Sequence, residues 1–382
     1  MSPLATTLLK RLNIKNLTKL LVSTLNSLDQ LHPYHHVLEQ LEWISDFSHN
    51  ESDLSIVKPP KIFYDRRLLY HVTESHGCRY KCEYPDYFQD FGAGDIAVFS
   101  EPFYTMDAEY LKQHGALIAF ESVESPVHMR ELTQIQMEQV DIFITYMPWS
   151  QVPYMYPMFL RKTNRGKRFT RSEITAIVAK NSTHLLPSNH KKRKRLIAWL
   201  VSNGSPNNNR DIIALSISAL IPIDIYGGVG KETPPGRDPL QWISEHYKFY
   251  LAFENSNCRY YITEKVTYNA LRYGMVPIVL GAYKEDYESV LPPHSYINLD
   301  DFKSITELAE YLRYLDRNDT AYAEYFAWKE YGDIYVEKRL DCRLCGFMHQ
   351  FNAGLVKLSN HSPSRFMDPW SLCFYRDLMP LE

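Results

Sequence analysis

No window of about 18 uninterrupted apolar residues occurs in this 382-residue chain. The nearest approach, residues 212–223, is broken by Ser216 and Ser218 and reads as a buried helix rather than a membrane span. Basic surplus is equally missing: 42 Lys and Arg against 45 Asp and Glu leave −3, which argues against nucleic acid as the main partner. The first 31 residues contain neither a compact apolar block nor a small-residue cleavage site, so no signal peptide is legible and membrane association would need an anchor not visible in this chain. Internal repeats and low-complexity tracts are absent too. Apolar residues are plentiful: at 45% they exclude general disorder and suffice for a core in each of about two domains of roughly 150 residues. The 28 tyrosines offer rings that stack and hydroxyls that hydrogen-bond, which suits sugar or nucleotide ligands.

Six cysteines fall as Cys78 and Cys82, Cys258, Cys342 and Cys345, and Cys373. Four thiols in CxxxC and CxxC spacing could bind zinc tetrahedrally, or remain free and buried in a reducing compartment. Disulfides in an oxidising lumen fit the even count and the Asn-x-Ser/Thr sequons at Asn16, Asn50, Asn181, Asn203, Asn318 and Asn360. All three readings stay open on spacing alone.

Short apolar runs at 61–64, 96–99, 117–120 and 141–145 alternate with helix-compatible stretches, the pattern of an α/β domain with a parallel sheet. A basic passage, 161–171, precedes a second alternation with strands at 196–201, 223–226, 249–254 and 276–280. Helices are expected over 263–273, stopped by Gly274, and over 302–315, where Ser304 and Glu307 have capping-box spacing. The run KKRKR at 191–195 reads as a solvated edge flanking the buried LIAWLV rather than as a nucleic-acid patch.

The most informative stretch is YKFYLAFENSNCRYYITEKVTYNALRYGMVPIVLGA, residues 247–282. Its strand ends in Glu254, Asn255 and Ser256, and ligands of open α/β sheets bind at such carboxyl ends. A helix start at Thr263 presents N–H groups suited to phosphate. Lys265 in the first helical turn opposes the helix dipole, which costs a few tenths of a kcal/mol unless an anion sits there. Glu264 can accept hydrogen bonds from ribose hydroxyls, Asn255 offers an amide, and Tyr261 a stacking ring. An ordinary capped helix with solvated charges explains the same residues equally well.

The stretch resembles the donor-binding motif of the α-1,3-fucosyltransferases, glycosyltransferase family 10: YKF-x-L-x-FENS, then Y-[IV]-TEK, then a helix and VP-[IV]-V-x-G. The resemblance extends to WLVSN at 199–203, Arg210, IDIYG at 223–227 and CRLC at 342–345, and thins upstream to the ESP triplet, Glu124, Ser125 and Pro126, and to Cys78 and Cys82. It implies an α/β, GT-B architecture, two Rossmann-like domains facing across a cleft. The boundaries read as an N-terminal extension over 1–55, an acceptor-side domain over 56–185, a GDP-fucose-binding domain over 186–335, and a tail over 336–382 returning to the first domain. Arg210 and Lys265 match the residues that hold the diphosphate, Glu264 the ribose contact, and Glu254, Asn255 and Tyr261 further donor-pocket positions. Glu124 matches the general base and is preferred over nearby Glu121. Cys78 and Cys82 would be tied to Cys342 and Cys345 in a connectivity left open, with Cys258 and Cys373 remaining.

The implied activity is inverting transfer of L-fucose from GDP-fucose to the 3-hydroxyl of N-acetylglucosamine in glycans on glycoprotein or glycolipid. The alternative is a catalytically silent member that binds GDP-sugar or glycan. Because no DxD pair lies near the motif, no metal is required, with Mn2+ or Mg2+ as stimulators at most. The implied location is the Golgi lumen. Tyr260 departs from the family, whose animal members usually carry Asp there, and this is expected to alter donor affinity.

Overall fold

The computed structural model describes residues 31–44, 58–65, 77–100, 102–336, 339–377 and 379–380. Most of the N-terminal extension, with the sequons at Asn16 and Asn50, lies outside the described residues. The first sheet is parallel throughout, in the order β1 (Ile62–Tyr64), β2 (Ile96–Phe99), β3 (Leu117–Glu121) and β4 (Ile142–Ile144). Every residue of β2, β3 and β4 is buried, as a parallel sheet covered on both faces requires. Helix α1 (Thr105–Gln113) links β2 to β3, and α2 (Gln134–Gln139) precedes β4, started by a capping box between Thr133 and Gln136.

After β5 (Met158–Arg161), a second parallel sheet is formed by β6 (Arg195–Leu200), β7 (Ile223–Tyr226), β8 (Tyr247–Phe253), β9 (Val276–Leu280) and β10 (Ile297–Asn298), in the order β10-β9-β8-β6-β7. Central β8 is wholly buried. It sends Phe249, Leu251 and Phe253 into one apolar cluster and Tyr250 and Ala252 into another. Between β6 and β7 runs α3 (Arg210–Ser218), and after β8 comes α4 (Glu264–Thr267). Helix α5 (Ile305–Arg317) buries Ile305, Leu308, Ala309, Leu312 and Leu315, one helical stripe, against the second sheet. Its N-cap Ser304 accepts from the Glu307 N–H at 3.2 Å, but the Glu307 carboxylate returns to the Lys303 N–H at 2.7 Å, so only half of the expected capping box forms.

Two expectations need correction. The helix expected over 263–273 stops at Thr267, and the chain resumes as a single 3-10 turn, Leu271–Tyr273, before Gly274 at φ 65°. Val266, Thr267, Tyr268 and Asn269 are all poor helix formers, and Asn269 Nδ2 donates instead to the Tyr250 hydroxyl at 3.2 Å. In the basic run, Arg193 is not solvated: it is 3% exposed and donates to the carbonyl oxygens of Gly274 and Tyr273, while Lys191, Lys192, Lys194 and Arg195 are exposed as expected.

Strand β11 (Gly332–Tyr335) pairs antiparallel with β5, and α6 (Leu340–Asn352) then returns to the first sheet, packing Leu344, Phe347 and Met348 with Ile62, Tyr64, Ile96 and Val98. A Cβ on Gly346 would lie 2.5 Å from the Trp43 ring, so only glycine allows this approach. Disulfides Cys78–Cys342 and Cys82–Cys345 lock the return, and Cys258–Cys373 ties the last segment to the second domain. These bonds leave no thiolates for the zinc reading. The first closes a separation of 264 residues, worth about 5 kcal/mol on chain-entropy grounds. Once it exists, the second adds only a small ring and contributes less.

The segment at 31–44 seats two histidines in the protein. His32 is 3% exposed and accepts from the Tyr34 N–H at 3.1 Å; His36 meets the Ser150 carbonyl at 3.1 Å. Burial lowers their pKa values to about 3 and about 4. Protons therefore bind the unfolded chain more readily below its pKa near 6.5, so stability is fully present above that value and is lost as pH falls towards 4, by about 1.4 kcal/mol per pH unit for each group. Thermal melting should show a falling midpoint across this window, with a shallower slope in His36→Gln. A midpoint independent of pH from 6.5 to 4 would contradict the burial argument.

Candidate active site

Glu254 follows the last residue of β8 and is fully buried. Its carboxylate accepts from the Thr263 N–H at 2.8 Å and the Thr263 hydroxyl at 2.9 Å, and pairs with Lys265 Nζ at 2.9 Å. Lys265 also donates to Thr263 Oγ1 at 2.8 Å and Glu264 Oε1 at 3.2 Å. Burial opposes the Lys265 cation, but Glu254 and Glu264 outweigh it and hold its pKa above the usual lysine range. The anion that compensates this lysine against the helix dipole is thus Glu254 itself, which the sequence marked only as a pocket residue. Close packing enforces the arrangement: a Cβ at Gly281, φ 145°, would lie 2.7 Å from the Glu254 Cβ. Glu264 remains half exposed at 46%, open to a ligand's hydroxyls.

Arg210 opens α3 at the carboxyl end of the same sheet. It is 2% exposed, donating to the Phe253 carbonyl at 2.8 Å and the Asn203 carbonyl at 3.2 Å, with its guanidinium 5.4 Å from the Trp199 ring. Burial lowers its pKa, partly offset by Glu254, yet an arginine stays charged. It forms the floor that ties loop 201–209 to the end of β8. Asn208 completes this floor, donating to the Glu254 carbonyl at 3.0 Å and to Asn257 Oδ1 at 3.0 Å. Asn255 is half-buried, and its carbonyl accepts from the Asn207 N–H at 2.7 Å. The sequon Asn203 lies exposed on this loop; Asn181 and Asn360 are also exposed, while Asn318 is occupied in capping Ala321.

The two domains meet at this loop. Tyr261 donates its hydroxyl to Glu124 Oε2 at 3.0 Å, and Ser256 donates to Ser125 at 2.7 Å. The Tyr261 ring is 3% exposed and tilts against Tyr146 at 5.2 Å, so it does not offer the open stacking face expected of it; only its hydroxyl works at the cleft. Glu124 is exposed on the loop after β3, held also through Tyr156, which donates to the Val123 carbonyl at 3.1 Å. Glu121, by contrast, is buried inside β3 at 5% exposure. Tyr260 adopts φ 56°, the left-handed region that Asn and Asp favour and bulky residues avoid. Its N–H donates to buried Asp286 at 2.9 Å, which Arg259 also grips at 2.7 Å, and this clamp holds the strained turn. Asn208 and Asp286 carry no signal in the sequence because their partners are distant in the chain, and for the same reason the contact between Ser125 and Ser256, each named there within its own motif, could not be read from it.

Residues 190–359 match the family described as "Glycosyltransferase family 10 (fucosyltransferase) C-term". The chain carries a family 10 glycosyltransferase domain. A Drosophila melanogaster protein named glycoprotein 3-alpha-L-fucosyltransferase A is 44% identical over 160 residues, 41% of this chain and 32% of its own length. The Homo sapiens 4-galactosyl-N-acetylglucosaminide 3-alpha-L-fucosyltransferase FUT6 is 44% identical over 144 residues, 38% of this chain and 40% of that protein. The chain therefore matches less than half the length of these curated relatives. A crystal structure of an alpha1,3-fucosyltransferase superposes with TM-score 0.52 at 16% identity, covering 85% of this chain and 97% of the other. The same kind of protein solved with GDP gives TM-score 0.50 at 15% identity, over 83% and 95%. Such likeness establishes the fold, GT-B, and the family 10 domain supplies the half of it that contains Arg210, Glu254, Glu264 and Lys265.

Proposed function

We propose that this chain is an inverting α-1,3-fucosyltransferase that moves L-fucose from GDP-fucose to the 3-hydroxyl of N-acetylglucosamine in protein-linked glycans. The observation that carries this reading is the hydrogen bond from Tyr261, in the family 10 motif, to Glu124 on the opposing domain: an exposed carboxylate faces the loop that carries the cation. Glu124 takes the proton of the acceptor hydroxyl as that oxygen attacks the fucose anomeric carbon, and the β-linked GDP leaves from the other face, giving an α-glycoside. Lys265, the α4 N–H groups and the Arg210 floor stabilise the charge that develops on the departing diphosphate. Lys265 exchanges its bond to Glu264 for phosphate oxygens, which frees Glu264 for ribose. Glu254 is committed to Thr263 and Lys265, which supports a transfer that requires no resident cation at this loop, with Mn2+ or Mg2+ a stimulator at most. The disulfides and exposed sequons support a site of action in the secretory pathway, the Golgi lumen.

Transfer of radiolabelled fucose from GDP-fucose to a panel of glycans tests the reading. Incorporation into acceptors with a free N-acetylglucosamine 3-hydroxyl is expected. Binding of GDP-fucose and glycan with no incorporation into any acceptor would instead make the chain a silent member of the family.

A further inference from the structure

A cavity of about 460 Å³ opens between residues 126–137, directly after the ESP triplet, and residues 362–369 of the C-terminal tail. Nothing in the donor machinery uses it. Its tail wall is a strap fixed at both ends: Phe366 stacks on Phe143 at 4.9 Å in the first domain, while Leu372 accepts from the Arg259 N–H at 2.7 Å and Cys373 bonds to Cys258 on the donor loop. Trp149 Nε1 donates to the Arg365 carbonyl at 2.9 Å and adds a third anchor. The strap therefore keeps its shape without a ligand. The opposite wall belongs to the site as well, because Met129 and Leu132 lie in the same buried cluster as Tyr261, whose hydroxyl holds Glu124.

The lining suits one ligand chemistry. Pro126, Met129, Leu132 and Met367 give apolar surface for the C–H faces of pyranose rings, and polar groups such as Gln134 and Ser364 stand among them for hydroxyls. Charge is mixed, with Arg130 against Glu131 and Asp368, which disfavours an anionic saccharide. Trp370, next to the lining residue Pro369, is 93% exposed, an unusual position for an indole and one suited to stacking on a sugar ring.

We propose that this cavity, together with exposed Trp370 next in the chain to its lining residue Pro369, is the subsite for the neutral oligosaccharide that carries the acceptor sugar, so that the tail, and not only the first domain, selects acceptors. The proposal rests on the fucosyltransferase reading above. Two variants test it: Trp370→Ala removes the exposed indole without touching the core, and Ser364→Trp fills the cavity from an exposed position. The KM for a neutral tetrasaccharide acceptor should rise about 5- to 10-fold in each, corresponding to one lost stacking contact. The KM for a disaccharide acceptor and for GDP-fucose should stay within about twofold, and a sialylated tetrasaccharide should be a poorer acceptor than the neutral one for the parent. Saturation-transfer NMR on the same tetrasaccharide, which needs no turnover, should show contacts to the sugars distal to the acceptor residue in the parent and lose them in Ser364→Trp. Unchanged contacts and an unchanged ratio of long to short acceptor KM in both variants would overturn the subsite. Absence of transfer by the parent to every acceptor would instead count against the enzyme reading, with NMR still deciding the subsite.

Discussion

Glu124→Gln should lower fucose transfer by roughly 10²-fold or more while leaving GDP affinity within about twofold. The substitution keeps the shape of the side chain and lets an amide oxygen accept from Tyr261, so the loop geometry survives and only the proton acceptor is lost. Tyr261→Phe gives the complementary result. Its hydroxyl donates to the carboxylate and fixes its position at the cleft; without it the base is less well placed, and kcat for transfer should fall while GDP affinity stays near the parental value. Applied to the Glu124→Gln protein, the same change should have little further effect on kcat if Tyr261 acts on the chemistry through Glu124. Glu121→Gln is a less clean control than its neighbourhood in sequence suggests, because Glu121 is buried at the end of β3 and its replacement acts on stability. Parental transfer by Glu124→Gln, measured with radiolabelled donor, would remove the base from this position.

Lys265→Met should be costly twice. Glu254 is fully buried, and burial already pushes its carboxyl pKa upward against the pull of Lys265, so losing the lysine strands a carboxylate that must take up a proton or stay unpaired. Breaking such a pair from one side destabilises by about 3–5 kcal/mol. The diphosphate also loses a charge-assisted bond worth about 1.5–3 kcal/mol, which reads as a weaker GDP affinity in calorimetry. The two effects separate in Lys265→Met combined with Glu254→Gln. Neutralising the carboxyl should restore part of the melting temperature, because a neutral amide costs less to bury, but none of the GDP affinity. Recovery of GDP binding in the double variant would mean that Lys265 serves only Glu254 and does not meet phosphate.

The parallel strands were legible because residues 96–99, 117–120, 142–144 and 249–253 are short continuous apolar runs buried on both faces, and the cluster at 254–265 was legible because its residues are close in sequence. Failures occurred where the outcome depends on what a side chain meets across the fold. Arg193 sits in a run of five cations, and only the approach of the Gly274 turn decides that this one faces inward. The stretch after Thr267 has a helical hydrophobic spacing, but β-branched Val266 and Thr267 and aromatic Tyr268 end α4 after four residues and Asn269 finds a better partner in Tyr250. The position of Lys265 in the first helical turn argues in the sequence for a phosphate, whereas the anion the structure places beside it is Glu254, eleven positions earlier, which requires the loop to fold back on itself. The tail's Trp370 and the cavity beside it give no sequence signal, since they arise only when Cys373 meets Cys258.

The most direct measurement is NMR of the product formed from GDP-fucose and N-acetyllactosamine by the parent protein and by Glu124→Gln. A base at Glu124 opposite the departing GDP predicts fucose joined in α configuration to the 3-hydroxyl of N-acetylglucosamine by the parent, and no more than traces of that product from the variant. A β-linked fucoside, or equal product from both proteins, would contradict it.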